Sequence, residues 1–261
     1  GEWVLLNGNQ TALMFVYYLI TRWKELGKIN GKEYIVKTIV TTETIKTIAE
    51  RNGVEMYDVY TGFKWIANVM RENEGKKNYI GGGEESYGFL CEDFVRDKDA
   101  VSACVILAEI AAWAKDQGLS LYQLLQKIYV EYGFSKEKGI SVVKKGKSGA
   151  EEIEAMMKKF RENPLTEIAG SKVTYFYDYS TLKGKDYAEN ETVTLDMPTT
   201  SNVLQYFTED NTKVSIRPSG TEPKIKFYCE VHSKVKSLDE LPEAEKAAEE
   251  KINQIKASLG I

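Results

Sequence analysis

The chain has 261 residues, of which 43% are hydrophobic, and a formal net charge of -4. That length and apolar content can fill two ordinary cores, while the acidic balance argues against nucleic acid or an anionic membrane as the partner of its surface. The apolar runs Ala12 to Ile20 and Val101 to Trp113 are too short or too interrupted to span a bilayer, no signal peptide is evident, and Cys91, Cys104 and Cys229 read as scattered reduced thiols, so the expectation is a cytoplasmic protein.

In chain order, Glu2 to Leu6 reads as one strand of a hairpin whose partner is absent, and residues 1–7 are assigned to the remnant of a preceding domain. Gly8 to Gln10 reads as a turn. Thr11 to Leu26 places Leu13, Val16, Tyr17 and Ile20 on one helical face, and Gly27 ends it. A strand over Tyr34 to Val40 is followed by a helix capped by Thr42 that stops at Asn52-Gly53. The strand Glu55 to Val59 delivers Thr61 to Lys64 (TGFK) at its end. A helix from Phe63 to Glu72 then leads to the strand Asn78 to Ile80, which runs into Gly81 to Gly88 (GGGEESYG), read as a loop.

Asp97 or Asp99 can cap a long helix ending at Lys115, so apolar over Ala103 to Ala114 that burial against the sheet is expected. Ser120 and Gln123 form a capping box for a helix to Glu131. Alternation of strands and helices predicts a three-layer α/β domain over residues 8–132, with both candidate loops following strands, where open α/β sheets place ligands. Tyr132-Gly133 marks a boundary. Beyond it come the strand Phe134 to Val143, the helix Ala150 to Arg161, the strands Val173 to Tyr179 and Asn202 to Phe207, two further strands, and a charged helix from Leu241 to Ala257. Residues 133–261 therefore read as a smaller α+β domain with a mostly antiparallel sheet. The basic run Lys136 to Lys147 lacks interleaved aromatics and reads as a solvated strand and turn.

The most informative stretch is Arg217 to Lys226, RPSGTEPKIK, a tight loop between the strand-like segments Lys213 to Ile216 and Ile225 to Val231. Pro218 fixes φ and Gly220 frees it. Arg217 offers a charged planar fork, Ser219 and Thr221 offer hydroxyls, and backbone N–H groups around Gly220 can approach an oxyanion. Lys224 and Lys226 share one strand face and either adds to the field of Arg217 or lies on the solvent side of an edge strand. An ordinary hairpin turn with a surface arginine is the alternative. With His232 the single histidine, Ser-His-Asp or Cys-His relays have little to stand on, and chemistry is expected from Lys, Arg, carboxylates and backbone donors.

RPSGTEPKIK resembles the phosphate-binding loop of the α-D-phosphohexomutases, the phosphoglucomutases and phosphomannomutases. GGGEESYG resembles that family's sugar-binding loop, and TGFK its lysine-bearing loop. The resemblance covers essentially the whole chain and matches the C-terminal half of the family. It implies that Glu84 and Ser86 hold adjacent sugar hydroxyls, with Gly81 to Gly83 letting the backbone pass close to the ligand. It also implies that Lys64 supports catalysis near the transferring phosphoryl group, and that Arg217, Ser219, Gly220, Thr221 and Lys226 hold the non-reacting phosphate. The whole enzyme is expected to use a phosphoserine, Mg²⁺ and glucose 1,6-bisphosphate, with the serine and metal loops on N-terminal domains outside this sequence. This chain would then bind the phosphosugar without catalysing its conversion. Phosphoglucomutase is the leading activity the resemblance implies, since GEESYG is closer to the phosphoglucomutase-like version of the loop than to bacterial forms in which a histidine follows the serine closely, and Gly88 occupies that region here. Phosphomannomutase, phosphopentomutase, a bisphosphate synthase or a non-catalytic phosphosugar-binding module stay open.

Overall fold

The computed structural model describes residues 3–144, 146–220 and 222–261. The chain divides into two compact units, Gly1–Phe134 with Lys234–Leu241, and Ser135–Ser233 with Pro242–Ile261.

The first unit begins with helix α1 (Gly8–Glu25), then β1 (Glu33–Thr38), α2 (Thr44–Arg51), β2 (Glu55–Val59), α3 (Phe63–Asn73), β3 (Asn78–Gly83), β4 (Phe89–Cys91), α4 (Ala100–Asp116) and α5 (Leu121–Tyr132). Its sheet has the order β2-β1-β3-β4. β1 pairs in parallel with both β2 and β3, and β4 returns antiparallel to β3. All six residues of the central strand β1 are buried, as expected of a strand covered on both faces. Phe63, Ile66 and Met70 recur at helical spacing on α3 and pack with Tyr34, Val36, Val59 and Tyr79 of the sheet. That contact fixes the start of α3, and with it the TGFK segment, at the carboxyl end of β2.

The second unit holds β5 (Phe134–Val143, whose first residue belongs to the first unit), α6 (Gly146–Glu162), β6 (Glu167–Ile168), β7 (Ser171–Asp178), β8 (Lys183–Asp186), β9 (Glu191–Thr194), β10 (Leu204–Thr208), β11 (Lys213–Pro218), β12 (Lys224–Ser233) and α7 (Leu241–Leu259), whose first residue, like the 3₁₀ turn Leu238–Glu240 before it, belongs to the first unit. The sheet order is β5-β12-β11-β10-β7-β8-β9, with β6 paired to β7. The ladders from β12 through to β9 are all antiparallel. α7 buries Ala248, Ile252, Ile255 and Leu259, one stripe at helical spacing. The α/β followed by antiparallel α+β architecture is the one the sequence predicts.

Several local expectations are corrected. Trp3 to Leu6 form no strand, because an extended segment has no ladder partner among the described residues. Gly8 to Gln10 are the first turn of α1 and not a separate turn: Asn7 accepts from the Gln10 backbone while the Gln10 side chain accepts from the Asn7 backbone, a capping box. Thr42 lies two residues before α2 and accepts from the Thr44 backbone at 3.3 Å. α4, expected to be buried, has only Ile110 and Ala114 fully buried. A helix apolar on every side carries no periodicity to say which face meets the sheet. The β8–β9 hairpin has no expected counterpart, since KGKD and ETVT are short and polar.

Candidate functional site

Gly81, Gly82 and Gly83 are not loop residues but the carboxyl end of β3, paired with β1 on one side and β4 on the other. A Cβ at Gly82 would lie 2.2 Å from the Val36 carbonyl oxygen, and one at Gly83 2.6 Å from the Gly88 carbonyl oxygen. The triplet therefore serves the close approach of neighbouring strands, and the turn itself is only Glu84 to Gly88. It closes tightly, with the Glu84 N–H donating to the Gly88 carbonyl at 2.8 Å and Tyr87 in the left-handed region at φ 71.

This turn is tied to every other loop at the carboxyl end of the sheet. Glu84, 9% exposed, accepts the Gly62 backbone N–H at Oε1 across 2.7 Å. Thr38 at the end of β1 donates to Glu85 Oε2 at 3.2 Å. Gly8 opens α1 so close to the turn that a Cβ there would stand 1.9 Å from the Glu85 carbonyl oxygen. Asn9 of the same helix accepts the Thr42 N–H at 3.0 Å. The TGFK turn, the GEESYG turn and the start of α1 are thus one connected crest.

Lys64, second residue of α3, is exposed, with its ammonium 4.9 Å from the centre of the Trp65 ring. Ser86 is exposed at the tip of its turn. Two lysines that no motif singled out stand beside them. Lys98 lays its stem against Gly88 and its ammonium 5.6 Å from the centre of the Phe63 ring, while keeping an ion pair to Asp97 at 3.2 Å. Lys37, 1% exposed, meets Asp58 at 2.7 Å, Glu43 at 2.9 Å and the Thr41 carbonyl at 3.4 Å. Its backbone pairs with Asp58 on one side and Gly83 on the other, directly beneath both turns. A lysine inside a β-branched, wholly buried strand was the signal in the sequence that could have found it.

In the second unit, Arg217 is the last residue of β11 but one and stands directly opposite Lys226 of β12. Residues opposite one another in an antiparallel pair project from the same face, and like charges there repel. Neither cation has an ion pair or side-chain hydrogen bond among the described residues. Lys224 is committed elsewhere: it pairs with Glu222 within the loop, which lowers the Glu222 carboxyl below its usual range. The Ser219 N–H is also spoken for, donating to the Lys224 carbonyl at 2.8 Å. Gly220 is exposed, and a Cβ there would meet open space without a positive φ. The expectation that Gly220 supplies a special backbone angle is therefore corrected; the loop is steered by Pro218 and by the Ser219 to Lys224 closure. Thr221 lies outside the described residues.

Four residues along the same strands, Lys213 of β11 faces Glu230 of β12 and the two are paired at 2.9 Å with both side chains buried. His232 Nε2 lies 2.8 Å from the other Glu230 oxygen. Burial pulls against the charge on Glu230, yet Lys213 and His232 hold its carboxyl well below the usual range. Burial likewise disfavours protonated His232, and the Glu230 carboxylate outweighs it, so the imidazole titrates above its ordinary value.

A glutamate at the end of a glycine-rich strand is thus tied to a lysine-bearing turn, and the second unit sets two cations opposite one another on its sheet; the sequence carrying them matches two known domain families. Residues 7–132 match the phosphoglucomutase/phosphomannomutase alpha/beta/alpha domain III, and residues 141–248 the phosphoglucomutase/phosphomannomutase C-terminal domain. The chain belongs to this family, the α-D-phosphohexomutases. It is 37% identical over 228 residues to a phosphoglucomutase of Staphylococcus aureus, an overlap of 87% of this chain and 40% of that protein. With the phosphoglucomutase of Staphylococcus haemolyticus it shares 33% identity over 232 residues, 89% of this chain and 41% of that protein. Two solved structures share the fold with a TM-score of 0.57 each. The open form of Paramecium parafusin, a phosphoglucomutase, is 17% identical over 99% of this chain and 43% of its own. A phosphoglucomutase/phosphomannomutase family protein from Burkholderia thailandensis is 15% identical over 98% of this chain and 43% of its own. The chain thus spans about 40% of the length of the curated relatives it matches.

Proposed function

We propose that the chain is the sugar- and phosphate-holding part of a phosphoglucomutase that interconverts glucose 1-phosphate and glucose 6-phosphate through a phosphoserine and a bisphosphorylated sugar. The observation that carries the reading is the Arg217–Lys226 rung. It places two like charges opposite one another in a sheet whose Lys213–Glu230 rung is neutralised, so an anion completes it. A sugar phosphate is the anion this family handles.

In this reading Arg217 and Lys226, with the Ser219 hydroxyl and the N–H groups about Gly220 and Thr221, hold whichever phosphate is not reacting. The Glu84 carboxylate keeps one oxygen on Gly62 and turns the other to sugar hydroxyls, and Ser86 adds a donor at the turn tip. Hydroxyls 3 and 4 of the ring lie near the axis that relates the two binding poses, so one pair of side chains serves both half-reactions. Lys64 offsets charge near the transferring phosphoryl group, a contribution of position and electrostatics. Both charged clusters act on substrate without a covalent step of their own.

Among the described residues no three of His, Cys, Asp and Glu converge as metal ligands. The side chains gathered here do not form the carboxylate array that Mg²⁺ takes, and in this reading the ion and the phosphoserine are supplied by N-terminal domains of the longer protein. No helix among the described residues is long and apolar enough to cross a membrane.

The test is an assay of the longer protein with glucose 1-phosphate, mannose 1-phosphate and ribose 1-phosphate, each with Mg²⁺ and the matching bisphosphate. Preference for the glucose ester supports the reading. Turnover of the mannose or pentose ester alone overturns it.

A further inference from the structure

The start of α1 and the GEESYG turn meet backbone to backbone. A Cβ at Gly8 would stand 1.9 Å from the Glu85 carbonyl oxygen and 2.8 Å from the Tyr87 nitrogen. Two residues earlier, the Leu6 carbonyl accepts the Tyr87 hydroxyl at 3.0 Å. That carbonyl belongs to the same planar peptide unit as the Asn7 N–H, which donates to Gln10 Oε1 at 2.9 Å in the capping box that opens α1. The box therefore fixes the plane of the Leu6–Asn7 peptide and aims its carbonyl at Tyr87. Gln10, that peptide and the Tyr87 side chain form one polar chain that ends in the turn, all of it within the first unit.

The remaining ties act at the ends of the turn. Glu84 accepts from Gly62, Glu85 accepts from Thr38, and the Glu84 N–H closes on the Gly88 carbonyl. Tyr87 supplies the side-chain tie nearest the exposed Ser86. It is itself 59% exposed and sits in the left-handed region at φ 71. A bulky side chain there is an outlier, and such a backbone persists where its surroundings over-determine it. An exposed ring gains little from burial, so the hydroxyl on Leu6 and the backbone packing of Gly8 are what hold it.

We infer that Tyr87 is a positioning residue for sugar recognition: its hydroxyl, anchored on the Leu6 carbonyl, locks the left-handed bend that presents the adjacent Ser86 to a ring hydroxyl. It acts through Ser86 and touches no reacting atom. A phenylalanine would fill the same space without the link to Leu6, so the hydroxyl separates positioning from packing. This inference deepens the mutase reading and rests on it for the identity of the ligand.

Tyr87→Phe removes the hydroxyl alone. In this chain, without ligand, the Glu84 N–H that closes the turn should exchange with deuterated solvent about three- to tenfold faster in the variant, the effect of losing one hydrogen bond on local opening, while the amides of β1 keep their wild-type rates. In the longer protein, Tyr87→Phe should raise KM for the sugar phosphate about three- to tenfold with a smaller change in kcat, the pattern of a contact made in ground and transition states alike. The same substitution in a Ser86→Ala background should raise KM no further, because the route through Ser86 is already cut. An unchanged exchange rate at Glu84 or an unchanged KM overturns the inference, and so does an equal rise in KM with and without the Ser86 hydroxyl. The exchange measurement needs no ligand and the kinetic cycle runs on whichever ester the longer protein turns over, so failure here is distinguishable from failure of the mutase reading.

Discussion

The Gly62 backbone N–H donates to Glu84 Oε1 across 2.7 Å, so the turn that carries Lys64 and the turn that carries Ser86 are held by a single charge-assisted bond. Glu84 is therefore both a candidate sugar ligand and the clasp of its own site. Glu84→Gln keeps an acceptor for Gly62 and should cost under about 1 kcal/mol in stability, whereas Glu84→Ala leaves that N–H without its partner and should cost about 1–3 kcal/mol. Denaturant titration of the two variants checks this. Equal losses would mean that the bond does not hold the turns.

The glycines of the two loops differ in what they permit. At Gly82 an added methyl meets backbone at 2.2 Å, and Gly82→Ala should destabilise the first unit by about 1–3 kcal/mol. At Gly220 there is open space and no left-handed backbone, so Gly220→Ala should change stability by less than about 0.5 kcal/mol. Thermal melts of both variants decide the contrast.

Much of this was legible in the sequence, and the remainder has identifiable physical causes. Strand-helix alternation and the Ser120–Gln123 capping box could be read because periodicity and local hydrogen bonding are encoded within a few residues. The three glycines before Glu84 looked like loop because composition does not say that the empty space of a missing Cβ is filled by the neighbouring strand. α4 looked buried because apolar content says nothing about which surfaces are in reach. Lys37 and Lys98 went unread because their roles depend on partners distant in sequence.

Lys37 illustrates the cost of such a partner. It is buried against Asp58 and Glu43, so Lys37→Met leaves two carboxylates facing each other at the carboxyl end of the sheet and should destabilise by about 3 kcal/mol or more. The triple variant with Asp58→Asn and Glu43→Gln should recover part of that loss. A cycle by urea unfolding that takes Lys37→Met as one arm and Asp58→Asn with Glu43→Gln together as the other measures it; strict additivity would contradict the charge account.

The Lys213–Glu230–His232 cluster gives the second unit a pH signature. Glu230 titrates lower in the folded chain than in the unfolded, so its contribution is present above the ordinary carboxylate pKa and is lost as pH falls through the depressed value. His232 titrates higher when folded, so its contribution is complete below the ordinary imidazole pKa and is lost as pH rises through the raised value. The groups facing His232 are Glu230, Glu137 and Lys213. Melting temperature should therefore decline from pH 6 upward through the imidazole range, and His232→Gln should remove that decline. A slope that survives the substitution would assign it to other groups.

The central claim is that the Arg217–Lys226 rung is an anion receptor for a sugar phosphate. It is tested most directly by calorimetric titration of this chain with glucose 1-phosphate, using glucose as the uncharged control, in wild type, Arg217→Ala and Lys226→Ala. The account predicts phosphate-dependent binding in the wild type, weakened about tenfold or more by each substitution, the loss expected when one charge-assisted contact is removed. Equal affinity for the phosphosugar in all three proteins would contradict it.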